Sequence, residues 1–154
     1  MLIVEAVGVG LLVSLLFTEA VGFTAGGFVV PGYIALFLNS PLRLVGTVMA
    51  ALATYLSVKF AGRFLLIHGR RNLVLAILLG FIFGGLTSLL PRVGFLSTEG
   101  ALTAVGYIIP GLMAYWMTRQ GIVRTLSAML VAAVLVRFAL IIVHGGSLPE
   151  TPVL

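Results

Sequence analysis

Two cations stand inside otherwise apolar stretches: Lys59, preceded by Tyr55-Leu56-Ser57-Val58, and Arg137, preceded by Val134-Leu135-Val136. A lipid-facing cation at mid-depth costs about 2.5–3.5 kcal/mol on insertion scales, so each is more comfortable facing a bundle interior, a partner or water, where it could accompany an anion. Each also sits only about 10 Å from the end of its apolar stretch, near enough for the side chain to snorkel to the interface. Arg70, Arg71 and Arg119 fall in polar joints between apolar stretches, and Arg124 lies just inside the last stretch. Exposed cations there would attract polyanions over about 8 Å at physiological ionic strength.

Two further stretches are interrupted, one by Gly26-Gly27 and Pro31-Gly32, the other by Gly106 and Pro110-Gly111. Proline removes a backbone donor and glycine lowers helix preference, so each reads as a kinked or broken helix. Unwound backbone in a membrane is tolerated only where it faces protein or water, which makes Pro31, Gly32, Pro110 and Gly111 candidates for a pathway or subunit interface. The other reading of the same residues is close helix packing with simple kinks. Glu19 and Glu99 precede the two broken segments and are read as carboxylates capping the helices that follow.

Nothing else in the chain suggests bond-breaking chemistry. His68 and His144 have no carboxylate at metal-ligand spacing, there is no cysteine, and no GxxxxGK[ST], GxSxG or HExxH occurs. We therefore expect no catalytic residue, metal or cofactor in this chain and no enzymatic activity of its own.

The elements that must position these residues are membrane helices. The chain has 154 residues, 61% apolar and only 8% charged, with mean hydropathy +1.26. A soluble domain carries about 25% charged residues, so this composition cannot clothe a globule in polar surface. The net charge of +5 is scattered among apolar runs, which argues against nucleic-acid binding. Apolar stretches occupy about 2–18, 22–38, 42–66, 73–90, 101–117 and 122–143. At roughly 20 residues per crossing the length allows about four to six crossings, six segments emerge, and the first is read as a retained span.

The two halves resemble each other. Residues 24–40 against 103–119 give 6 identities in 17, and 42–61 against 120–139 give 7 in 20, the latter pairing Lys59 with Arg137. A one-residue shift also sets Thr18-Glu19 on Thr98-Glu99, although the first and fourth stretches align less well. If the broken segments cross, three spans per half force the second half to enter from the opposite side. Five arginines (Arg63, Arg70, Arg71, Arg119, Arg124) then oppose Arg43 and Arg92, as the positive-inside rule requires. If they re-enter, the arginines divide almost evenly.

The expected fold is therefore an all-α integral membrane protein with about six transmembrane segments, arranged as two inverted three-span repeats with broken second and fifth helices. Residues 1–66 form the first repeat, 67–72 a basic cytoplasmic connector, 73–144 the second repeat and 145–154 a polar tail. A pseudo-two-fold axis in the membrane plane would relate the repeats, and both termini would lie outside.

The strings Leu15-Leu16-Phe17-Thr18-Glu19, Val29-Val30-Pro31-Gly32-Tyr33, Gly69-Arg70-Arg71, Ile109-Pro110-Gly111-Leu112 and Arg119-Gln120-Gly121 resemble the PgsC/CapC family, the small membrane subunit of bacterial poly-γ-glutamate synthase. The resemblance spans roughly residues 3–145, and the Pro149-Glu150-Thr151-Pro152 tail departs from it. It implies a bacterial cell-membrane location and two protein partners: a cytoplasmic Mur-ligase-like subunit, which holds the ATP and divalent metal, and a membrane-anchored extracellular subunit. It also implies contact with the anionic polymer, with several copies needed if one narrow bundle is to conduct it. Two other functions stay open: an inverted-repeat carrier for a small organic anion, and a purely structural anchor for the ligase.

Overall fold

A computed structural model describes residues 2–64, 69–89 and 107–146, and all regular structure among them is helical. The helices are α1 (Leu2–Val21), α2 (Val30–Leu36), α3 (Pro41–Phe64), α4 (Arg70–Leu89), α5 (Ile109–Gln120) and α6 (Ile122–Val143). Four of them, α1, α3, α4 and α6, are long and apolar enough to cross a membrane. At 1.5 Å per residue, their 20 to 24 residues reach about 30–36 Å, the thickness of a hydrocarbon core. Outward-facing residues such as Leu12, Leu16, Leu78, Phe81, Val123 and Phe138 are large and exposed, so the outer surface suits lipid rather than water.

The two short helices begin where the sequence suggests a break. Pro31 and Pro110 sit in the first turn of α2 and α5, where a missing N–H costs nothing and the fixed φ favours helix entry. The prolines thus start helices rather than kink them. The residues just before, Val29 and Ile108, have nearly identical backbone angles (φ −88°, ψ −29° and φ −89°, ψ −29°), and neither helix has a side-chain cap. Residues 22–29 run non-helically into α2, with Gly26 and Gly27 at φ +76° and +119°, a region that side-chain-bearing residues rarely adopt. Gly121, at φ +95°, turns α5 directly into α6.

Packing crosses between the halves of the chain. α1 packs on α2 and α6, while α4 packs on α5 and α3, with α5 also touching α6 and α2. The long third helix of each half therefore rests on the other half's pair. The central cluster unites Val30, Ile34, Ala51, Ile109, Met113, Met117, Met129 and Ala133, drawn from α2, α3, α5 and α6. Buried Thr47, Thr54 and Thr125 direct their hydroxyls to the carbonyls of Arg43, Ala50 and Gly121, each at 2.7 Å, which satisfies these polar atoms within their own helices.

Candidate functional site

Small residues set the closest helix contacts. A methyl group added to Gly10 would come within 2.6 Å of the Gly32 Cα, and one on Gly32 within 2.7 Å of the Ala6 carbonyl oxygen. The second half repeats this: a methyl on Gly80 would collide with the Gly111 backbone, and one on Gly111 would reach 2.6 Å from the Ala76 carbonyl oxygen. Ala6-Gly10 and Ala76-Gly80 thus make equivalent approaches at an offset of 70, not the 80 of Thr18-Glu19 on Thr98-Glu99. Pro31, Gly32, Pro110 and Gly111 are all buried in these contacts. This corrects their reading as pathway residues: the backbones meet too closely to leave room for a substrate, and packing accounts for them.

Glu19 also departs from expectation. It lies inside α1, exposed, eleven residues before Val30, and the residue at the start of α2 is Val29 with no side-chain bond. Glu19 therefore makes no capping bond to α2. Glu99, Arg92 and His68 lie outside the described residues.

The arginine positions converge. The end of α3, the start of α4, the end of α5 and the start of α6 meet at one end of the bundle, joined by the Asn72 to Thr118 hydrogen bond (3.4 Å) and the Gly121 turn. This end carries Arg63, Arg70, Arg71, Arg119 and Arg124. Arg119 lies over the Tyr115 ring and Arg124 over the Phe23 ring, at 5.6 and 5.1 Å from the centroids. Gln120 ties the same end to the non-helical stretch: its side-chain oxygen accepts from the Thr24 amide and hydroxyl, both at 3.2 Å, and its Nε2 donates to the Thr24 carbonyl and to Thr125 Oγ1.

The opposite end is built from the start of α1, the end of α6 and the α2–α3 turn. His144 Nε2 lies 3.1 Å from Glu5 Oε2, Arg137 donates to Asn39 Oδ1 at 2.6 Å, and Arg43 lies over Phe37. Lys59 and Arg137 therefore sit toward opposite ends. Arg137 is held by an acceptor. Lys59 is exposed, 5.7 Å from the Tyr55 ring centroid, beside a cavity of about 210 Å³ lined by Tyr55, Val58, Lys59, Gly62, Asn72 and Thr118.

Gln120, Asn39, Asn72, Thr118 and the Glu5–His144 pair were not singled out as partners by the sequence.

A family model described as capsule biosynthesis CapC matches residues 9–126, a stretch running from within α1 into α6. The chain belongs to the CapC family. Its relatives include the PGA biosynthesis protein CapC of Bacillus subtilis (strain 168), 33% identical over 123 residues, covering 79% of this chain and 81% of the relative. The capsule biosynthesis protein CapC of Bacillus anthracis is 33% identical over 126 residues, with the same coverage of each chain. No solved structure matches. CapC membership and the apolar helices together make this a membrane-associated capsule biosynthesis protein. The sequence resemblance and the family match agree.

Proposed function

We propose that this CapC chain is the multi-pass membrane subunit of a poly-γ-glutamate synthesis and export complex, and that its arginine-rich end lies in the cytoplasm and receives the acidic product from an ATP-dependent ligase. The observation that carries this reading is the gathering of five arginines at one end of the bundle. Two of them make a specific argument. Arg70 and Arg71 occupy the first turn of α4, beside the positive end of the helix dipole, where a cation is disfavoured by about 0.3–1 kcal/mol. Helix stability does not explain them, whereas cytoplasmic retention and polyanion attraction do.

The packing supports six crossings in two inverted halves. Residues 22–39 begin beside Gln120 at the arginine-rich end and finish beside Arg137 toward the other, a course that favours crossing over re-entry. The matching Gly10–Gly32 and Gly80–Gly111 approaches and the exchange of α3 and α6 between halves are what an inverted duplication would produce. ATP and a divalent metal belong to the ligase in this account, and an extracellular membrane-anchored subunit takes the product onward.

The carrier reading loses its main support, since its site was placed at the Pro-Gly breaks and these are filled by neighbouring backbone. The anchor reading keeps the ligase contact but assigns no role to polymer. Deleting the chain in its host and restoring it tests the proposal: surface polymer should vanish and return, and the tagged chain should co-purify with an ATP-dependent amide ligase. Unchanged polymer in the deletion strain would refute it.

A further inference from the structure

We propose that the cleft beside Lys59 is a carboxylate-binding subsite, formed jointly by α3, α4 and α5, that takes one γ-glutamyl carboxylate at the arginine-rich end. The inference rests on the product assigned above and names the residues that would hold it. The cleft is lined by Lys59 and Tyr55 from α3, Asn72 from α4 and Thr118 from α5, and among the described residues no acidic one lines it.

Its hydrogen-bonding inventory selects an anion. Thr118 donates its hydroxyl to the Tyr115 carbonyl at 2.6 Å and accepts from Asn72 Nδ2 at 3.4 Å. That leaves the second Asn72 amide hydrogen and the Asn72 Oδ1, the Tyr55 hydroxyl and the Lys59 ammonium, which has three donors and no acceptor, so donors outnumber acceptors. A charged ammonium at a membrane-facing cleft is stabilised by an acceptor carrying negative charge, and charge-assisted bonds of this kind are the strong ones. The residue equivalent in sequence, Arg137, already has its acceptor in Asn39 Oδ1. Arg137 thus has an acceptor from the protein itself, while the contact of Lys59 is the face of the Tyr55 ring.

The surroundings would guide an anion there. Arg63 lies one turn beyond Lys59 on α3, Arg70 and Arg71 immediately precede Asn72, and Arg119 follows Thr118. A set of like charges around a low-dielectric cleft concentrates counter-ions at it. The cavity of about 210 Å³ accepts a carboxylate with its neighbouring methylene groups but not a folded polymer.

Lys59 is the sole lysine of the chain, so its acylation by an amine-reactive reagent, located by peptide mass spectrometry, reports the cleft directly. The full chain would be labelled in phosphatidylcholine nanodiscs with and without a short γ-linked glutamate oligomer, and with the same oligomer carrying α-carboxamides (γ-linked isoglutamine) as the neutral control. The glutamate oligomer should slow labelling and the isoglutamine oligomer should not. N72L/T118V keeps Lys59 and its labelling without ligand, and should weaken protection at least about tenfold, as loss of the one Asn72 bond to a charged acceptor implies. No protection, or equal protection in N72L/T118V, overturns the subsite. Protection by phosphatidylglycerol alone, with none from the oligomer, makes it a lipid headgroup site and also overturns it. Because the readout needs no partner and no synthesis, a failure here leaves the deletion test of the complex standing on its own.

Discussion

Gly10 and Gly32 meet backbone to backbone, with room at Gly10 for a hydrogen but not for a methyl group. Gly80 and Gly111 do the same between α4 and α5. Gly10→Ala or Gly80→Ala must push helices apart, and overpacking of this kind costs about 1–3 kcal/mol. Gly8→Ala, where nothing lies within 4 Å, should be neutral or slightly stabilising through its helix preference. Thermal unfolding in detergent, followed by the loss of monodisperse protein, separates the two kinds of variant; equal midpoints would contradict the packing.

Gln120→Leu removes four hydrogen bonds at once and leaves the Thr24 amide and carbonyl unpaired. A buried backbone group left unsatisfied costs about 1–3 kcal/mol. Stretch 22–29 should then become open to proteolysis or hydrogen exchange in nanodiscs, while α3 and α4 exchange as before. Protection of 22–29 unchanged from wild type would show that Gln120 does not hold it.

Single cysteines at Ala20 and Ser40 report the course of the segment between them. Six crossings place Ala20 in the cytoplasm and Ser40 outside, so a membrane-impermeant thiol reagent added to whole cells should label Ser40→Cys and leave Ala20→Cys for permeabilised cells. Labelling of both from outside would mean that residues 22–39 re-enter.

Arg137→Leu and Lys59→Leu should differ, although the sequence makes them equivalent. Arg137 joins α6 to the α2–α3 turn through Asn39, so its loss costs stability by about 0.5–1.5 kcal/mol, the net worth of such a bond. Lys59→Leu removes an exposed cation and should unfold at or above the wild-type midpoint while lowering surface polymer. A double variant that assembles and yields wild-type polymer would leave both cations without a role in passage.

Much of the architecture was legible because it rests on local patterns. Long apolar runs gave α1, α3, α4 and α6, and the paired Pro-Gly breaks located α2 and α5. The sequence left kink and break open because Phe28-Val29-Val30 and Tyr107-Ile108-Ile109 offer no capping side chain to mark an entry. Twenty-two residues separate Gly10 from Gly32 but 31 separate Gly80 from Gly111, so an alignment carried back from the breaks at a near-constant offset does not pair these two approaches. Partners such as Thr24 and Gln120, 96 positions apart, leave no local pattern at all.

The account stands or falls on the arginine-rich end receiving the acidic polymer, and the most direct measurement is surface polymer from two quadruple variants at Arg70, Arg71, Arg119 and Arg124. Replacement by lysine keeps the charge that sets orientation and attracts a polyanion, while replacement by glutamine removes it. With expression and orientation verified by the Ser40→Cys label, the lysine variant should retain most of its polymer and the glutamine variant should lose most of it. Equal, wild-type output from a correctly oriented glutamine variant would contradict the claim and leave these arginines with a topological role alone.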